Sequence, residues 1–279
     1  MRNRKIIYSG LFVGCIIMGI LALIIFSSSQ KLSVTFLDVG QGDSILISEG
    51  SNQILIDGGP SGQILTEKLG KHIPFWDRKI EMVIATHPDQ DHIEGLIAAI
   101  RNYEVEMVME NSREAQTKVY QNLKNIIQEK EVEKIDAEVG MKVKFGNGAI
   151  LEIIHASKEN TKETNSKSIV AKLTFGQNSF LLTGDLPDNE EGKLSDVNAR
   201  ILKVSHHGSK NATTEIFLNK INAESAIISV GKNNRYGHPA PEVLERLKKA
   251  KLSTFRTDKL GDIQFICQNP ENDCEAMGL

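Results

Sequence analysis

The chain has 279 residues, 40% of them hydrophobic and 25% charged, and its formal net charge is −3. Arg2, Arg4 and Lys5 form a basic N-terminal flank, so the rest of the chain holds 30 of the 33 basic residues and all 36 acidic ones. This balance excludes the basic surface of a high-affinity DNA-binding protein, although bound divalent cations could still attract phosphates locally.

An uncharged apolar segment of 21 residues, Ile6 to Phe26, follows the basic flank. Its length is enough to cross a bilayer core of about 30 Å. Because basic flanks stay in the cytoplasm, the pattern predicts a single-pass membrane anchor with the rest of the chain outside the cell. A cleaved signal peptide is the alternative, but its apolar region is normally only about 7–15 residues long. The predicted domains are residues 1–30, the flank and anchor, and residues 31–279, a common size for one α/β domain.

Short apolar runs separated by Gly-rich turns predict an antiparallel meander at the start of the second domain. Its three strands are Val34–Leu37, Ser44–Ser48 and Gln53–Ile56. Apolar residues at helical spacing predict helices around Ile64–Leu69, from Asp91 through Ile100 and from Glu114 to Lys130. A strand over residues 82–85 precedes the second of these helices.

The remaining sequence predicts a second sheet with covering helices. Its strands are Lys142–Phe145, Ile150–Ile154, Ile169–Thr174, Phe180–Thr183, Leu202–Ser205, Ala226–Val230, Thr254–Arg256 and Ile263–Ile266. The covering helices lie near Thr214–Asn219 and Pro241–Ala250. The polar segment Lys158–Lys167 has no periodicity, and we expect it to be a mobile surface loop near the functional site.

Four metal-capable side chains follow the apolar run at residues 82–85. They are His87, Asp89, Asp91 and His92, which lie within six residues. Burying two unpaired carboxylates so close together would be costly, and divalent cations remove that cost. Alternate side chains of an extended loop point the same way, so His87 and Asp89 are expected to share one ion. Asp91 and His92 then hold a second ion. A solvated acidic turn with two surface histidines is the alternative.

Three later apolar runs each lead to Asp or His: to Asp185, to the pair His206 and His207, and towards His238. Loops at one end of a rigid sheet converge in this way on one site. Adjacent loop residues point apart, so we expect one histidine of the pair to bind metal and the other to support it or exchange protons. His206 is favoured as the ligand. His238 is either the last ligand or a contact to a substrate oxyanion.

These residues resemble the motifs of the metallo-β-lactamase superfamily, whose signature is His-x-His-x-Asp-His. Asp89 stands where the signature has its second histidine, and this variant is similar to the C-terminal hydrolase domain of ComEC-type DNA-uptake channel proteins. The other matching motifs, between residues 33 and 266, are Asp38-Val39-Gly40-Gln41-Gly42-Asp43-Ser44, Asp57-Gly58-Gly59, Thr183-Gly184-Asp185, Ser205-His206-His207-Gly208-Ser209 and Tyr236-Gly237-His238-Pro239. A full channel of that type carries many membrane helices before this domain, whereas one is predicted here.

The resemblance implies an α/β fold, a four-layer αββα sandwich, here preceded by one N-terminal transmembrane helix. It also implies two divalent metal ions with Asp185 as the bridge between them. The predicted metal ligands are His87, Asp89, Asp91, His92, Asp185 and His206, and the predicted catalytic residues are Asp91, His207 and His238. Because Asp89 makes this ligand set rich in oxygen, Mn²⁺ is expected as well as Zn²⁺.

The resulting prediction is a membrane-anchored, metal-dependent phosphodiesterase or nuclease that acts outside the cytoplasm. DNA is the candidate substrate, and the DNA-uptake machinery is the candidate partner. The alternative substrates are phosphorylcholine esters, β-lactams and thioesters. A non-catalytic, metal-stabilised binding module beside an uptake channel is a further alternative. The sequence gives no indication of the oligomeric state.

Several other polar residues have two interpretations. Asp38 and Asp43 each either orient a ligand or cap a Gly-rich turn, and Asp57 is expected to serve a tight turn near the site. Lys210 and Arg235 either meet a phosphate or are solvated loop charges. His155 is either a further ligand or a half-buried residue at a strand end.

The last histidine and the cysteines carry less information. His72 is expected to be structural. Cys267 and Cys274 either form a small-loop disulfide outside the cell or are unrelated thiols. No cysteine lies in the metal-capable cluster, so a thiolate zinc site is not indicated.

Overall fold

The computed structural model describes residues 12–19, 31–111, 115–157 and 163–277. The predicted transmembrane helix at Ile6–Phe26 therefore lies mostly outside the described residues, and within it residues 12–19 form a helix, α1. No helix in the described ranges combines the length and the apolarity that a bilayer span requires.

Strands and helices alternate along the rest of the described chain. The strands are β1 (Leu32–Phe36), β2 (Ile45–Glu49), β3 (Asn52–Ile56), β4 (Lys79–Ala85), β5 (Glu104–Glu110), β6 (Glu133–Asp136), β7 (Lys142–Lys144), β8 (Ile150–His155), β9 (Val170–Phe175), β10 (Asn178–Leu182), β11 (Ile201–Lys203), β12 (Ser225–Ile228), β13 (Ser253–Arg256), β14 (Ile263–Cys267) and β15 (Glu275–Met277). The helices are α2 (Gly62–His72), α3 (Gln90–Asn102), α4 (Lys118–Glu129), α5 (Asp188–Glu191), α6 (Glu215–Ile221), α7 (Pro241–Lys249) and α8 (Thr257–Leu260), with 3-10 turns at Asn165–Lys167 and Ser205–Gly208.

Two sheets carry the fold. The first has the strand order β15-β14-β1-β2-β3-β4-β5-β6. Strands β1 to β3 form the antiparallel meander predicted from the sequence, and β3 to β6 run parallel because α2, α3 and α4 make the crossovers. The second sheet has the order β13-β12-β11-β10-β9-β8-β7. It is antiparallel from β7 to β10 and parallel from β10 to β13.

Three apolar clusters show how the layers pack. The largest lies between the two sheets and includes Phe36, Phe180 and Phe265. A second cluster packs α2, α3 and α4 against the first sheet, and a third packs α6 and α7 against the second sheet. The layers are therefore helices, sheet, sheet and helices, which confirms the αββα sandwich predicted from the sequence.

The strand predicted at Ile263–Ile266 belongs to the first sheet and not, as predicted, to the second. It forms β14, which pairs antiparallel with β1 and places Cys267 opposite Leu32. The prediction was wrong because a local apolar pattern shows that a strand exists, whereas its partner is chosen by packing across the whole chain.

Other boundaries also differ from the predicted ones. The helix predicted from Glu114 begins at Lys118, because the Thr117 side chain accepts a hydrogen bond from the Tyr120 backbone and caps it there. Strands β5 and β6 were not predicted, since each begins with a glutamate and carries further charged residues. Of the segment predicted as a mobile surface loop, residues 158–162 lie outside the described ranges, and the end of the segment at Lys167 is buried.

Cys267 and Cys274 form a disulfide, one of the two alternatives that the sequence left open. The bond closes the turn between β14 and β15, which are neighbours at the edge of the first sheet. The disulfide therefore ties β15, an edge strand of only three residues, to its neighbour β14.

Helix α3 approaches the turn after β3 so closely that only glycine fits on both sides. A Cβ atom at Gly95 would lie 1.9 Å from the carbonyl oxygen of Gly58. Two backbone hydrogen bonds hold the contact: Gly58 N–H donates to the carbonyl of His92 at 2.6 Å, and Gly95 N–H donates to that of Gly59 at 3.0 Å. The contact fixes the first turn of α3, which carries two of the predicted metal ligands.

We predict that alanine substitutions at two helical glycines have opposite effects on stability. Gly95→Ala should lower the free energy of unfolding by about 2 kcal/mol, because overpacking against backbone outweighs the better helix propensity of alanine. Gly70→Ala in α2 meets nothing within 4 Å and should raise it by roughly 0.5–1 kcal/mol. Chemical unfolding monitored by circular dichroism measures both, and a Gly95→Ala protein as stable as the parent would contradict the close contact.

Candidate metal centre

Three loops meet at one edge of the sandwich, where strands from both sheets end. Strand β4 leads directly to His87 and, through the start of α3, to Asp91 and His92. Strand β10 leads to Asp185, and β11 leads to the 3-10 turn that contains His207. The first sheet thus supplies one half of the site and the second sheet the other half.

The side chains from these loops face one another. His87, His92, His207 and Asp185 are all buried. The Nε2 atoms of His92 and His207 each lie 3.3 Å from Oδ2 of Asp185, and Nε2 of His207 lies 3.6 Å from Oδ2 of Asp91. Among the described residues, four overlapping groups of donors have ligand atoms within 4.8 Å of one another, and two of the four include Asp43, which forms an ion pair with a lysine. The two donor groups without Asp43 are His87, His92 and Asp185, and Asp91, His92 and His207.

Unpartnered polar atoms mark the centre of this cluster. Among the described residues, the buried Nε2 atoms of His87, His92 and His207 and the Oδ1 atom of Asp185 have no hydrogen-bond partner. Buried polar atoms are nearly always satisfied, so four such atoms in one place indicate a shared partner that is not protein. Imidazole nitrogen and carboxylate oxygen are donors that Zn²⁺ and Mn²⁺ accept. The donor set therefore fits divalent metal ions.

In His92 and His207, the other ring nitrogen, Nδ1, is held by a neighbouring oxygen atom. Nδ1 of His92 lies 2.8 Å from Oδ2 of Asp57, and Nδ1 of His207 donates to the carbonyl oxygen of Ser229 at 2.9 Å. The backbone N–H and the hydroxyl of Thr86 donate to the same Asp57 carboxylate at 2.8 and 2.7 Å. Because Nδ1 is fixed, Nε2 is aimed at the centre of the cluster. Asp57 thus orients a candidate ligand besides making the predicted turn.

A buried ammonium group, which the sequence analysis missed, lies against the cluster. Lys203 in β11 is fully buried, forms an ion pair with Asp43 and donates to the carbonyl oxygen of Gly184 at 2.8 Å. Its Nζ also lies 3.7 Å from Oδ1 of Asp185. The sequence held a signal, a single lysine inside the apolar run Ile201–Val204, because a buried strand keeps a charged residue only when that residue is paired.

Carboxylates around two of the histidines stabilise their protonated form. Burial alone would lower the pKa of both His92 and His207. Asp185 opposes this at both rings, aided by Asp57 at His92 and by Asp43 at His207, and both pKa values lie well above 6.5. The raised pKa values favour the protonated form of both side chains in the absence of metal, so metal binding competes with protons for their ring nitrogens.

The other ionisable groups of the two donor groups are already in their metal-binding form at neutral pH. Burial lowers the pKa of His87 to about 4, so its imidazole is neutral. Burial would raise the pKa of Asp91, but the charges of His207 and His92 outweigh it and bring the pKa to about 2. The same two histidines hold the pKa of Asp185 well below 3.8, against the effect of its burial.

Three further predicted site residues border the cluster without belonging to its donor groups among the described residues. Oδ2 of Asp89 lies 3.7 Å from Nε2 of His87, and burial raises the pKa of this carboxyl group. Nε2 of His206 lies 3.7 Å from Oδ2 of Asp185, and the ring is partly exposed. The ring of His238 lies 5.9 Å from that of His206. The ligand role of Asp89 and His206 and the catalytic role of His238 stay predictions.

The structure places the two remaining histidines outside the cluster. Nδ1 of His155 donates to the carbonyl oxygen of Ser168 at 2.9 Å, and its Nε2 faces Glu190 at 3.7 Å. Nε2 of His72 lies 3.0 Å from Oδ2 of Asp262. Neither belongs to the donor groups of the described chain.

Comparison with known proteins assigns the chain to a family. Residues 37–232 match the model of the metallo-beta-lactamase superfamily. Curated relatives include ComE operon protein 3 of Bacillus subtilis, 30% identical over 91% of this chain and 35% of its own length. Competence protein ComA of Neisseria gonorrhoeae is 25% identical over 85% of this chain and 32% of its own length. The chain thus spans about a third of the length of these relatives.

Solved structures show the same fold at low sequence identity. Igni18, a metallo hydrolase from Ignicoccus hospitalis, superposes with a TM-score of 0.57 at 13% identity, over 84% of this chain and 98% of its own. The metallo-beta-lactamase fold protein YhfI of Bacillus subtilis gives a TM-score of 0.54 at 12% identity, over 80% of this chain and 95% of its own. Both structures support the two-sheet architecture and nothing more specific.

We predict that metal binding is coupled to proton release and that His207 accounts for part of it. Mn²⁺ or Zn²⁺ added to the metal-free protein should release protons, and the affinity should rise with pH, because His92 and His207 have to lose their protons. His207→Ala removes one donor and one of these protons, so binding should weaken at least about tenfold and fewer protons should be released. Calorimetric titration in two buffers with different ionisation enthalpies counts the protons.

His206→Ala is the matched control for that experiment. Burial lowers the pKa of His206, so its imidazole is neutral and contributes no proton to the count. Proton release unchanged by His207→Ala would contradict the role given to His207, and metal binding abolished only by His206→Ala would show that His206 is the ligand, as the sequence analysis expected.

Proposed function

Because the chain belongs to the metallo-β-lactamase superfamily, we propose that it is a metal-dependent hydrolase that cleaves a phosphodiester. The observation that carries the proposal is a cluster of five candidate donors in two groups that share His92, one of His87, His92 and Asp185 and the other of Asp91, His92 and His207. When bound, two divalent ions supply a water of lowered pKa and positive charge against the phosphoryl oxygens.

The residues around the donors keep them in a fixed orientation. Asp57 holds His92, and the carbonyl oxygen of Ser229 holds His207. Lys203 pairs with Asp43, so this carboxylate is neutralised without a metal ion. A site whose donors are fixed in advance loses little conformational freedom when it binds metal and substrate.

We assign metal binding to His207 and substrate contacts to His206 and His238. Nε2 of His207 is buried and faces both Asp185 and Asp91, whereas His206 and His238 are more exposed. Burial lowers the pKa of both of these half-buried rings, so they are neutral at pH 7 and can donate to a phosphoryl oxygen or accept a proton. This assignment exchanges the roles that the sequence analysis expected for His206 and His207.

The donor chemistry supports Mn²⁺ as a metal at least as effective as Zn²⁺. Asp91 and Asp185 contribute carboxylate oxygens, and Asp89 adds another beside His87. Carboxylates favour harder ions, whereas Zn²⁺ sites are richer in nitrogen and sulfur.

The names of the curated relatives support DNA as the substrate and the DNA-uptake machinery as the partner. One relative is named a competence protein and another a product of the ComE operon. The chain covers only about a third of each, so their activity as whole proteins is carried over here as a proposal. The excess of acidic over basic residues agrees with a protein that binds free DNA weakly and receives it from a partner.

We further propose that residues 6–26 anchor the chain in the cell membrane and that the hydrolase domain lies outside the cell. The support is the uncharged run of 21 residues behind Arg2, Arg4 and Lys5.

The purified full chain in detergent, loaded with Mn²⁺, should hydrolyse DNA and bis-p-nitrophenyl phosphate. Asp185→Asn should lower both turnover and metal content, with a loss in turnover on the order of 100-fold, because the metal site loses a charged donor. Asp136→Asn is the matched control, since this carboxylate is exposed on β6 and belongs to no donor group among the described residues. Assays at low salt keep electrostatic screening of the DNA small.

Two outcomes would contradict the proposed chemistry. Rapid cleavage of nitrocefin or a thioester with no action on either phosphodiester would assign the site to another substrate class. A fully metal-loaded protein that cleaves none of these compounds would instead indicate a metal-stabilised binding module.

The membrane topology has a separate test. Protease added to intact cells should degrade the hydrolase domain while a cytosolic marker protein stays intact. If the domain is protected until the cells are lysed, the proposed location outside the cell is wrong.

A further inference from the structure

We propose that a cleft beside the candidate metal centre is a nucleotide subsite, in which Tyr236 stacks on a base and Arg235 binds a neighbouring phosphate. The inference rests on the proposed phosphodiesterase function. It adds the contacts to substrate that the proposed function leaves unnamed. The cleft, here called the Tyr236 cleft, has a volume of about 400 Å³, and Gln41, Asp91 and Asn234 also contribute to its lining.

The Tyr236 cleft is continuous with the metal centre. Asp91 lines the cleft and also belongs to one of the two donor groups. A row of rings leads in the same direction: His238 lies 5.9 Å from His206, and the Tyr236 ring is stacked on His238 with centroids 5.8 Å apart and planes 17° apart. A strand whose scissile phosphate lies at the donors therefore has its next nucleotide at the cleft.

The chemistry of the two exposed side chains suits a nucleotide. The Tyr236 side chain is 53% exposed, and an aromatic face binds any base because every base has a π-face. The Arg235 guanidinium lies 5.0 Å from the Tyr236 ring centre and donates to its hydroxyl at 2.9 Å. No carboxylate pairs with Arg235 among the described residues, so its charge is available to a phosphate. On binding, the phosphate draws the guanidinium off the ring and the base takes its place.

The loop that carries both side chains is held in shape by one residue. The side-chain oxygen of Asn234 accepts from the backbone N–H groups of Tyr236 and His238 at 3.1 and 3.0 Å. Its side-chain nitrogen donates to the carbonyl oxygens of Gly231 and His238 at 3.0 and 2.6 Å. The ring and the guanidinium are thus presented by a loop that is ordered before substrate arrives, as a binding subsite requires.

The test compares two single-stranded oligonucleotides of equal length, one with bases and one made of abasic residues, on the full Mn²⁺-loaded chain. The strand with bases should be cleaved with a roughly tenfold higher kcat/KM, because one base stacks on one aromatic ring. Tyr236→Ala should remove this preference, whereas Tyr236→Phe should retain it. Arg235→Gln should lower kcat/KM for both strands alike, because both carry phosphates.

Binding without cleavage supplies a second readout. An oligonucleotide that contains 2-aminopurine loses fluorescence when this base stacks on an aromatic ring, and the metal-free protein should quench it. Tyr236→Ala should abolish the quenching. The matched control is Trp76→Ala, which removes another exposed aromatic ring, on the loop before β4 at the opposite end of that strand from the metal centre. This control should keep both the quenching and the preference for bases.

The outcomes separate this inference from the function on which it rests. Equal cleavage of the two strands by the parent protein would overturn the nucleotide subsite and leave phosphodiester hydrolysis intact. Cleavage of neither strand would contradict the proposed function, and the quenching measurement would then decide the subsite alone. Quenching that survives Tyr236→Ala would overturn it.

Discussion

The burial of three carboxylates, those of Asp43, Asp57 and Asp185, is the constraint on which this structure depends. Each is at most 3% exposed. Taking an ionised carboxylate out of water costs roughly several kcal/mol unless a positive charge or hydrogen bonds compensate it. The fold compensates each one differently. Lys203 pairs with Asp43, Thr86 and His92 satisfy Asp57, and Asp185 faces the donor nitrogens. The metal-capable cluster is therefore one part of a charge-balanced unit.

Strand pairing brings this unit together. The parallel register of β10 and β11 sets Lys203 beside Leu182, three residues before Asp185. Asp57 directly follows β3, and Thr86 directly follows the neighbouring strand β4, so the two residues that share a hydrogen bond come from adjacent strand ends. Charges from separate parts of the sequence thus meet because parallel strands bring their carboxyl ends to one edge of a sheet.

The sequence predicted most of the fold, because its apolar runs and turn residues are local signals that survive in the folded chain. It also predicted which loops would meet, since His87, Asp91, His92 and Asp185 directly follow apolar runs. It favoured His206 over His207 as the metal ligand, whereas His207 is the one that faces Asp185 and Asp91 from a buried position. Both residues have left-handed backbone angles, which turn their side chains in directions that no local pattern encodes. Lys203 and the partner of β14 were missed for a related reason: each depends on a contact between distant parts of the chain.

The position of β1 has a consequence for how the domain folds during synthesis. This strand lies inside the first sheet, between β2 and β14, and Leu32 pairs with Cys267 across 235 positions of sequence. Until β14 leaves the ribosome, β1 keeps an unpaired edge of backbone donors and acceptors that can bind another strand. Contacts of such long sequence separation also form late and slow folding. The first sheet therefore remains open to mispairing for most of translation, and only the last part of the chain closes it.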